Sequence, residues 1–319
     1  MDKTSASALL LTYNQESIVG EALNSLLQQD IDYLEIIISD DNSNDNTWTV
    51  IQSILANYHG SKKIIINRNE SNLGVVANYF KAFQLSSGEV LFTSAGDDIY
   101  LPSRCSDCIS IWQASHEKKD LIACDAFDMT ESGRVLKIKK TDKLENWNLK
   151  KWVKRRPYIF GAGHMVTRRL LEIGPVNPLL PYEDQCILFR AMLLGGASTV
   201  SKPLLKHRRG GISQQDSKHG YGLKKQKLIK SALNSHAEAN QMLSDALIIG
   251  CPDDILEALK TQKEIATFIQ HMLLAENFVQ KVKLFFLTKK IPWHKKFRYF
   301  QFATLSFFHR PMMRLGKLY

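Results

Sequence analysis

Apolar runs and amphipathic runs take turns along the first 130 residues. "SALLLTY" (7–13) is a short, nearly unbroken apolar run that predicts a buried strand. After it, Ile18, Ala22, Leu23, Leu26 and Leu27 recur at spacings of three and four, which is one face of a helix over 15–29. The cycle repeats: "LEIIISD" (34–40) predicts a strand and 47–58 a helix. "KKIIINR" (62–68) predicts a strand, 75–85 a helix, and "GEVLFTS" (88–94) a fourth strand. This alternation predicts an α/β domain of βαβ units, its sheet mostly parallel and covered by helices on both faces. Farther on, 131–160 is a looser, basic segment bearing "KLENWNLKKWVKRRPY". "FGAGHMVTRRLLEIG" then reads as a strand and a short helix, and "YEDQCILFRAMLLGG" as a helix opening on Glu183 and Asp184. "STVSKPLLKHRRGGISQ" reads as a last strand entering a loop, and 223–285 as helical with a break near "GCPDD". The division expected is an α/β domain over 1–220 and a helical region over 221–319.

In parallel sheets of this kind, ligands bind beyond the carboxyl ends of the strands. The polar residues there form a consistent set: Thr12, Tyr13, Asn14 and Glu16 after the first strand, and "SDDNSNDNT" after the second. "NRNESNLG" follows the third and "AGDD" the fourth. Taken singly, Asp, Asn and Ser in such places are turn and helix-cap chemistry. Taken together, four strand ends define an acidic, amide-rich rim suited to a small molecule. Asp97 and Asp98 stand side by side at its tip. Either they begin a helix near 101–103, where the macrodipole favours negative charge, or one of them holds a cation. Oxygen ligands of this type suit Mg²⁺ or Mn²⁺, which also bind substrate phosphates.

Composition adds one localised feature. The net charge is +10, and residues 277–319 alone hold ten Lys and Arg with no Asp or Glu. The rest of the chain is neutral. Five cysteines without a framework spacing read as free thiols of a reducing compartment, and Cys105 and Cys108 lack the partners of a zinc site. The first apolar run is too short for a signal peptide, and no stretch has the ~18 apolar residues of a membrane span. A cytoplasmic protein is expected.

The motifs also resemble a known family in order and spacing. "LLTYNQE", "IISDDNSNDNT", "NESNLGVVANYFKAF", "SGEVLFTSAGDDIYLPSR", "HMVTRRLLEIGPVN", "YEDQCILFRAMLLGG" and "KHRRGGIS" are similar to those of family 2 glycosyltransferases with the GT-A fold, over residues 6–215. The resemblance implies a nucleotide-sugar half at about 1–100 and an acceptor half at about 101–220. It implies that Thr12, Tyr13 and Glu16 line the nucleotide pocket, and that Asp41 binds the base, most naturally a uracil. Asn72 and Gly74 would lie over the nucleotide, with Asn78 on the helix behind. Asp97 would meet ribose or donor sugar, Asp98 would ligate Mn²⁺ or Mg²⁺, and Arg208 would sit near the diphosphate. Asp184 would be the general base of an inverting transfer. Glu183 would support it or meet the acceptor, and His207 would stand in for a histidine that often follows in the family. His164 is expected in the core. Leu11 stands where the family often has Pro.

The implied activity is transfer from a nucleotide sugar, UDP-linked, to a glycan or lipid-linked oligosaccharide of a bacterial surface polysaccharide. Two rivals are nucleotidyl transfer, which would need a Gly-rich phosphate loop that "LTYNQES" lacks, and a non-catalytic nucleotide-sugar-binding protein. The basic, aromatic tail suits an anionic membrane surface, placing the enzyme on the inner face of the cytoplasmic membrane. A helical cap is the alternative for this tail, and no nucleic-acid motif accompanies the charge.

Overall fold

The computed structural model describes residues 4–174, 176–210, 221–288 and 290–304. The chain separates into two compact units: Met1–Trp152 with Arg156–Gln215, and Val153–Arg155 with Asp216–Tyr319.

In the first half the strands and helices fall where the periodicities place them. They are β1 (Ala6–Thr12), α1 (Val19–Leu27), β2 (Leu34–Asp40), α2 (Thr47–Ala56), β3 (Lys63–Arg68), α3 (Val75–Leu85) and β4 (Val90–Ala95). Then come β5 (Ile99–Tyr100), α4 (Arg104–Ala114), β6 (Leu121–Met129), β7 (Val135–Lys139), α5 (Leu149–Lys154), β8 (His164–Thr167), α6 (Arg168–Leu171), α7 (Asp184–Leu193) and β9 (Ala197–Arg208). One sheet runs in the order β3-β2-β1-β4-β8-β6-β9-β5, with β7 beside β6. Its left part is parallel, with Leu10 opposite Ile38 and Ser94. β8, β7 and β5 enter antiparallel.

Both faces of the central strands are buried, which explains their unbroken apolar runs. Leu10, Ile36 and Ile38 pack with Leu23 and Leu26 on one face, while Leu9, Ile37 and Leu91 pack with Tyr79 and Ala82 on the other. Each such side chain, fully buried, is worth about 1.5–3 kcal/mol. The strands β5, β6 and β7 are additions to the sequence reading. β6, "LIACDAFDM", carries two buried aspartates whose partners are distant in sequence. Asp125 accepts the Thr141 N–H at 2.9 Å, and Asp128 pairs with Lys139 and Arg209.

The fixing point of this added half is Asp120, fully buried just before β6. Its carboxylate accepts from Thr167 Oγ1 at 2.6 Å, from Arg169 Nε at 2.6 Å and from Gly195 N at 2.8 Å. One side chain therefore joins β8, α6 and the approach to β9.

The second unit is helical: α8 (Tyr221–Ile249), α9 (Asp253–Leu274), α10 (Phe278–Leu287) and α11 (Trp293–Thr304). Phe268, Met272, Leu273, Ile291 and Ala303 form its buried centre, with Leu284, Phe285 and Phe300 packed against them. All five cysteines are free, and burial holds the Cys105 thiol up at about 12, where it is inert.

Asp120→Ala leaves the buried Thr167 hydroxyl and the half-buried Gly195 N–H without their acceptor. It should lower unfolding stability by about 2–4 kcal/mol, read as a fall in the urea midpoint. An unchanged midpoint would remove Asp120 from this role.

Candidate active site

The sheet order sets the place. From β1 the chain steps outward to β2 and β3, then returns to β4 on the opposite side of β1. The crevice beyond the ends of β1 and β4 is the switch point at which such sheets bind ligands. There Gly96 N donates to the Leu11 carbonyl at 2.9 Å. A Cβ at residue 96 would collide with Gln15 Oε1 and lie 3.0 Å from Thr12 Cγ2. This close approach is why a glycine precedes the two acids.

The β1 and β2 ends are laced together through Asp40, which is fully buried. It accepts from Thr12 Oγ1 at 3.0 Å, from Ser43 N at 2.9 Å and from Ser43 Oγ at 2.5 Å. Thr12, expected to line the pocket, is therefore buried and spends its hydroxyl on holding the two loops. Asn14 N donates to Ser43 Oγ and Asn44 N to Asn14 Oδ1. Asn14 and Asn42 adopt left-handed backbone at φ 51° and 60°, a conformation Asn tolerates better than most residues. Glu16 is exposed and accepts the Asn46 N–H at 2.9 Å. Tyr13 is half-buried beside these loops.

Asp41 is buried and organises the third rim element. Its Oδ1 accepts from Asn69 Nδ2 at 2.9 Å and Leu73 N at 2.8 Å, and its Oδ2 accepts from Gly74 N at 2.9 Å. Asn72 Oδ1 also lies 3.2 Å from Gly74 N. Asn78, behind them, accepts from Ser39 Oγ and Asn69 Nδ2. Asp41, Asn72 and Gly74 thus come together. With three donors on its four acceptor positions, Asp41 keeps room for one more, at Oδ2.

At the β4 tip Asp97 is half-buried and Asp98 buried. The pairing of β5 with β9 (Tyr100 opposite Leu205) carries His207 and Arg208 to the pair. Asp98 Oδ1 accepts the Arg208 N–H at 2.9 Å. Arg208, expected near a diphosphate, has its side chain held by protein partners. Its buried guanidinium donates to the carbonyls of Asp97 and Glu131 and to Glu21 Oε2 at 2.7 Å. Its charge acts on Asp98 from within the protein.

A second cation escaped the sequence reading. Arg104, at the start of α4, is fully buried and donates to Ser94 Oγ and to the carbonyls of Thr93 and Ala162. Its guanidinium carbon lies 4.5 Å from the Tyr100 ring centroid. No local pattern around "PSRCSD" marks an arginine that turns inward. His164 is in the core as expected, its Nε2 2.9 Å from Thr93 Oγ1, with burial and the Arg104 charge pushing its pKa down to about 4.

Burial pushes Asp98 up to about 8, with the Asp97 charge adding to it while Arg104 and Arg208 work against it. Asp97 is raised too, by burial, against His207 and Arg208. Beside them, His207 is shifted down by burial and by Lys139, and its buried Nδ1 has no hydrogen-bond partner among the described residues. No group of three His, Cys, Asp or Glu among those residues forms a complete metal cage. A divalent ion that keeps waters and takes substrate phosphate oxygens needs only one or two carboxylates, and this set fits it. Asp98, supported by Asp97 and the orphaned His207 Nδ1, would hold it.

The other acid pair opens α7. Glu183 is buried and pushed up to about 8 by burial and then by the charge of Asp184. Its Oε2 has no partner among the described residues. Asp184 is half-buried and its Oδ2 lies 3.0 Å from where a Cβ of Gly161 would stand. Gly161 follows Phe160, whose ring centroid is 5.4 Å from that of His207. The segment 160–161 thus runs past both Asp184 and His207, and His207 feels the Asp97 charge. Residues 211–213 of "KHRRGGIS" lie outside the described residues.

The profile described as "Glycosyl transferase family 2" matches residues 7–168. An uncharacterised glycosyltransferase of Methanocaldococcus jannaschii is 28% identical over 174 residues, 54% of this chain and 59% of its own length. The putative glycosyltransferase EpsH of Bacillus subtilis is 26% identical over 223 residues, 67% of this chain and 63% of its own. The chain thus spans less than two thirds of these relatives. Among solved structures, TarS 1–349 of S. aureus in complex with UDP aligns with TM-score 0.61 at 17% identity, covering 98% of this chain and 95% of that one. The mannosyltransferase from Pyrobaculum calidifontis, in complex with GDP-Man and Mn²⁺, aligns with TM-score 0.53 at 13% identity, covering 95% and 86%. At these identities the likeness establishes a shared GT-A type fold.

The raised carboxyls make a pH prediction. Between about pH 4 and 8 the folded chain holds protons on Asp98 and Glu183 that the unfolded chain has released, so stability falls as pH rises through that window. In chelator, the thermal midpoint should fall toward pH 8, less so in Asp98→Asn. Mn²⁺ should raise it more at the upper end, where Asp98 is ionised. An equal Mn²⁺ effect at both ends would overturn the assignment.

Proposed function

The chain belongs to glycosyl transferase family 2, and we propose that it transfers a sugar, with inversion, from a nucleotide donor to the hydroxyl of an acceptor. The donor is UDP-linked, and the acceptor is a glycan or lipid-linked oligosaccharide in surface polysaccharide synthesis. The observation that carries this reading is the raised pair Asp97–Asp98 at the switch point of the sheet, with the raised Glu183 and its neighbour Asp184 on the segment that Gly161 and Phe160 approach. TarS in complex with UDP-GlcNAc and the Pyrobaculum enzyme in complex with GDP-Man support a nucleotide sugar as ligand.

In this reading the remaining acceptor position of Asp41 takes a base N–H, while Tyr13 packs by the base and Glu16, Asn72 and Gly74 bound the nucleotide. Asp97 meets the donor sugar or ribose. Inversion places the acceptor hydroxyl opposite the diphosphate. Asp184 accepts its proton as the new C–O bond forms and the bond to phosphate breaks, its electron pair leaving with the diphosphate. Glu183, kept neutral by burial, adds no second negative charge beside that base. A bound Mn²⁺ or Mg²⁺ at Asp98 supplies Lewis-acid charge to the leaving diphosphate.

Asp184→Asn should bind UDP within about twofold of wild type while losing transfer by about 10²–10⁴-fold. Asp98→Asn should lose the Mn²⁺-dependent part of UDP binding measured by titration calorimetry. Undiminished turnover in Asp184→Asn would end its assignment as base.

A further inference from the structure

The last described helices carry apolar side chains on more than one face. Inward, Leu284 and Phe285 of α10 and Phe300 of α11 pack on the centre of the helical unit, with the Phe285 and Phe300 ring centroids 5.5 Å apart. The capping need of α9 is thereby met. Outward, Val279, Phe286 and Leu287 are left exposed on α10, recurring with Lys283 at the spacings of one helical stripe. On α11, Trp293 and Phe297 lie one turn apart with ring centroids 6.2 Å from each other, Trp293 being 71% exposed. A cap explains the inner face and leaves the outer one without cover among the described residues.

Within the segment that carries this outer face the charge has one sign. Residues 277–304 hold seven Lys and Arg and no acid. Lys281 donates to the Ala303 carbonyl and Lys296 to that of Phe285, and Lys290 lies 3.6 Å from Glu257 and Glu264. Lys283, Lys295 and Arg298 have no acidic partner among the described residues. The opening of α8 adds Lys224, Lys225, Lys227 and Lys230 to the same helical unit. Leu228 and Ile229 from that segment pack on the same centre as α10 and α11, and the Lys225 charge reaches Lys281.

We propose that the outer face of α10 and α11, with the start of α8, docks on an anionic phospholipid bilayer. Phe286, Leu287, Trp293 and Phe297 enter the headgroup boundary, and the lysines meet lipid phosphates. An acidic protein partner would answer the charges but not the aromatic side chains scattered between them. A bilayer interface answers both, since aromatic rings settle at headgroup level while long basic side chains reach the phosphates. No described helix is long and apolar enough to cross a membrane, so the segment lies on the surface. This docking is independent of the sugar-transfer reading. Residues 305–319, which continue the basic tail, lie outside the described residues.

The test is vesicle flotation with the full chain. Neutral phosphatidylcholine vesicles are compared with vesicles containing about 30 mol% phosphatidylglycerol. The bound fraction should favour the anionic vesicles by at least about tenfold and fall in ~0.5 M NaCl. Phe286→Ser with Trp293→Ser should cut binding about tenfold. Lys283→Glu with Lys295→Glu should cut it similarly, and circular dichroism of both variants should match wild type. Equal recovery on both vesicle types overturns the proposal. So does unchanged binding in the aromatic variant, or a chain that stays unbound and instead dimerises through this face by light scattering.

Discussion

Two carboxylates side by side at a buried strand end are a constraint to which much of the catalytic unit answers. Asp97 and Asp98 repel each other and lose hydration together. Neither can be ionised cheaply in a low-dielectric setting. The protein reduces the cost from three directions without removing it. Arg104 places a buried guanidinium behind the pair, Arg208 brings a second one from β9, and the Arg208 backbone N–H fills one oxygen of Asp98. What is left over is an acid still shifted upward. The pairing of β5 with β9 follows the same need, because it delivers the Arg208 N–H to Asp98.

The three-cornered use of Arg208 also shows how the site is held to its scaffold. Through Glu21 it is fastened to α1, through the Asp97 carbonyl to the acidic turn, and through the Glu131 carbonyl to the loop between β6 and β7. On the other rim Asp40 does similar work for the loops after β1 and β2, and Asp41 for the turn that opens α3. A buried carboxylate joining loops that are distant in sequence recurs throughout this unit, with Asp120 as the example farthest from the crevice.

Much of this was legible in the chain. The first half could be read because β1, β2 and β4 are buried on both faces and its helices on one, so local periodicity reports global position. The acids at the strand ends were readable for the same reason: topology alone brings them together. The reading weakened where partners are remote. "LIACDAFDM" looks interrupted by charge until Asp125 and Asp128 find Thr141, Lys139 and Arg209. Arg104 gives no sign of turning inward, and nothing local to Arg208 or Thr12 announces the protein partners that hold their side chains. Residue type and place in a motif indicate which chemistry is present. Hydrogen-bond partners decide which way it faces.

Gly161 illustrates a different kind of determinant. It contributes no functional group, and its importance lies in the volume it leaves empty beside Asp184. A Cβ there would stand 3.0 Å from Asp184 Oδ2, so a side chain at 161 would press on that carboxylate or turn it aside. The glycine works as a doorway kept clear, and its effect is counted in space and not in charge.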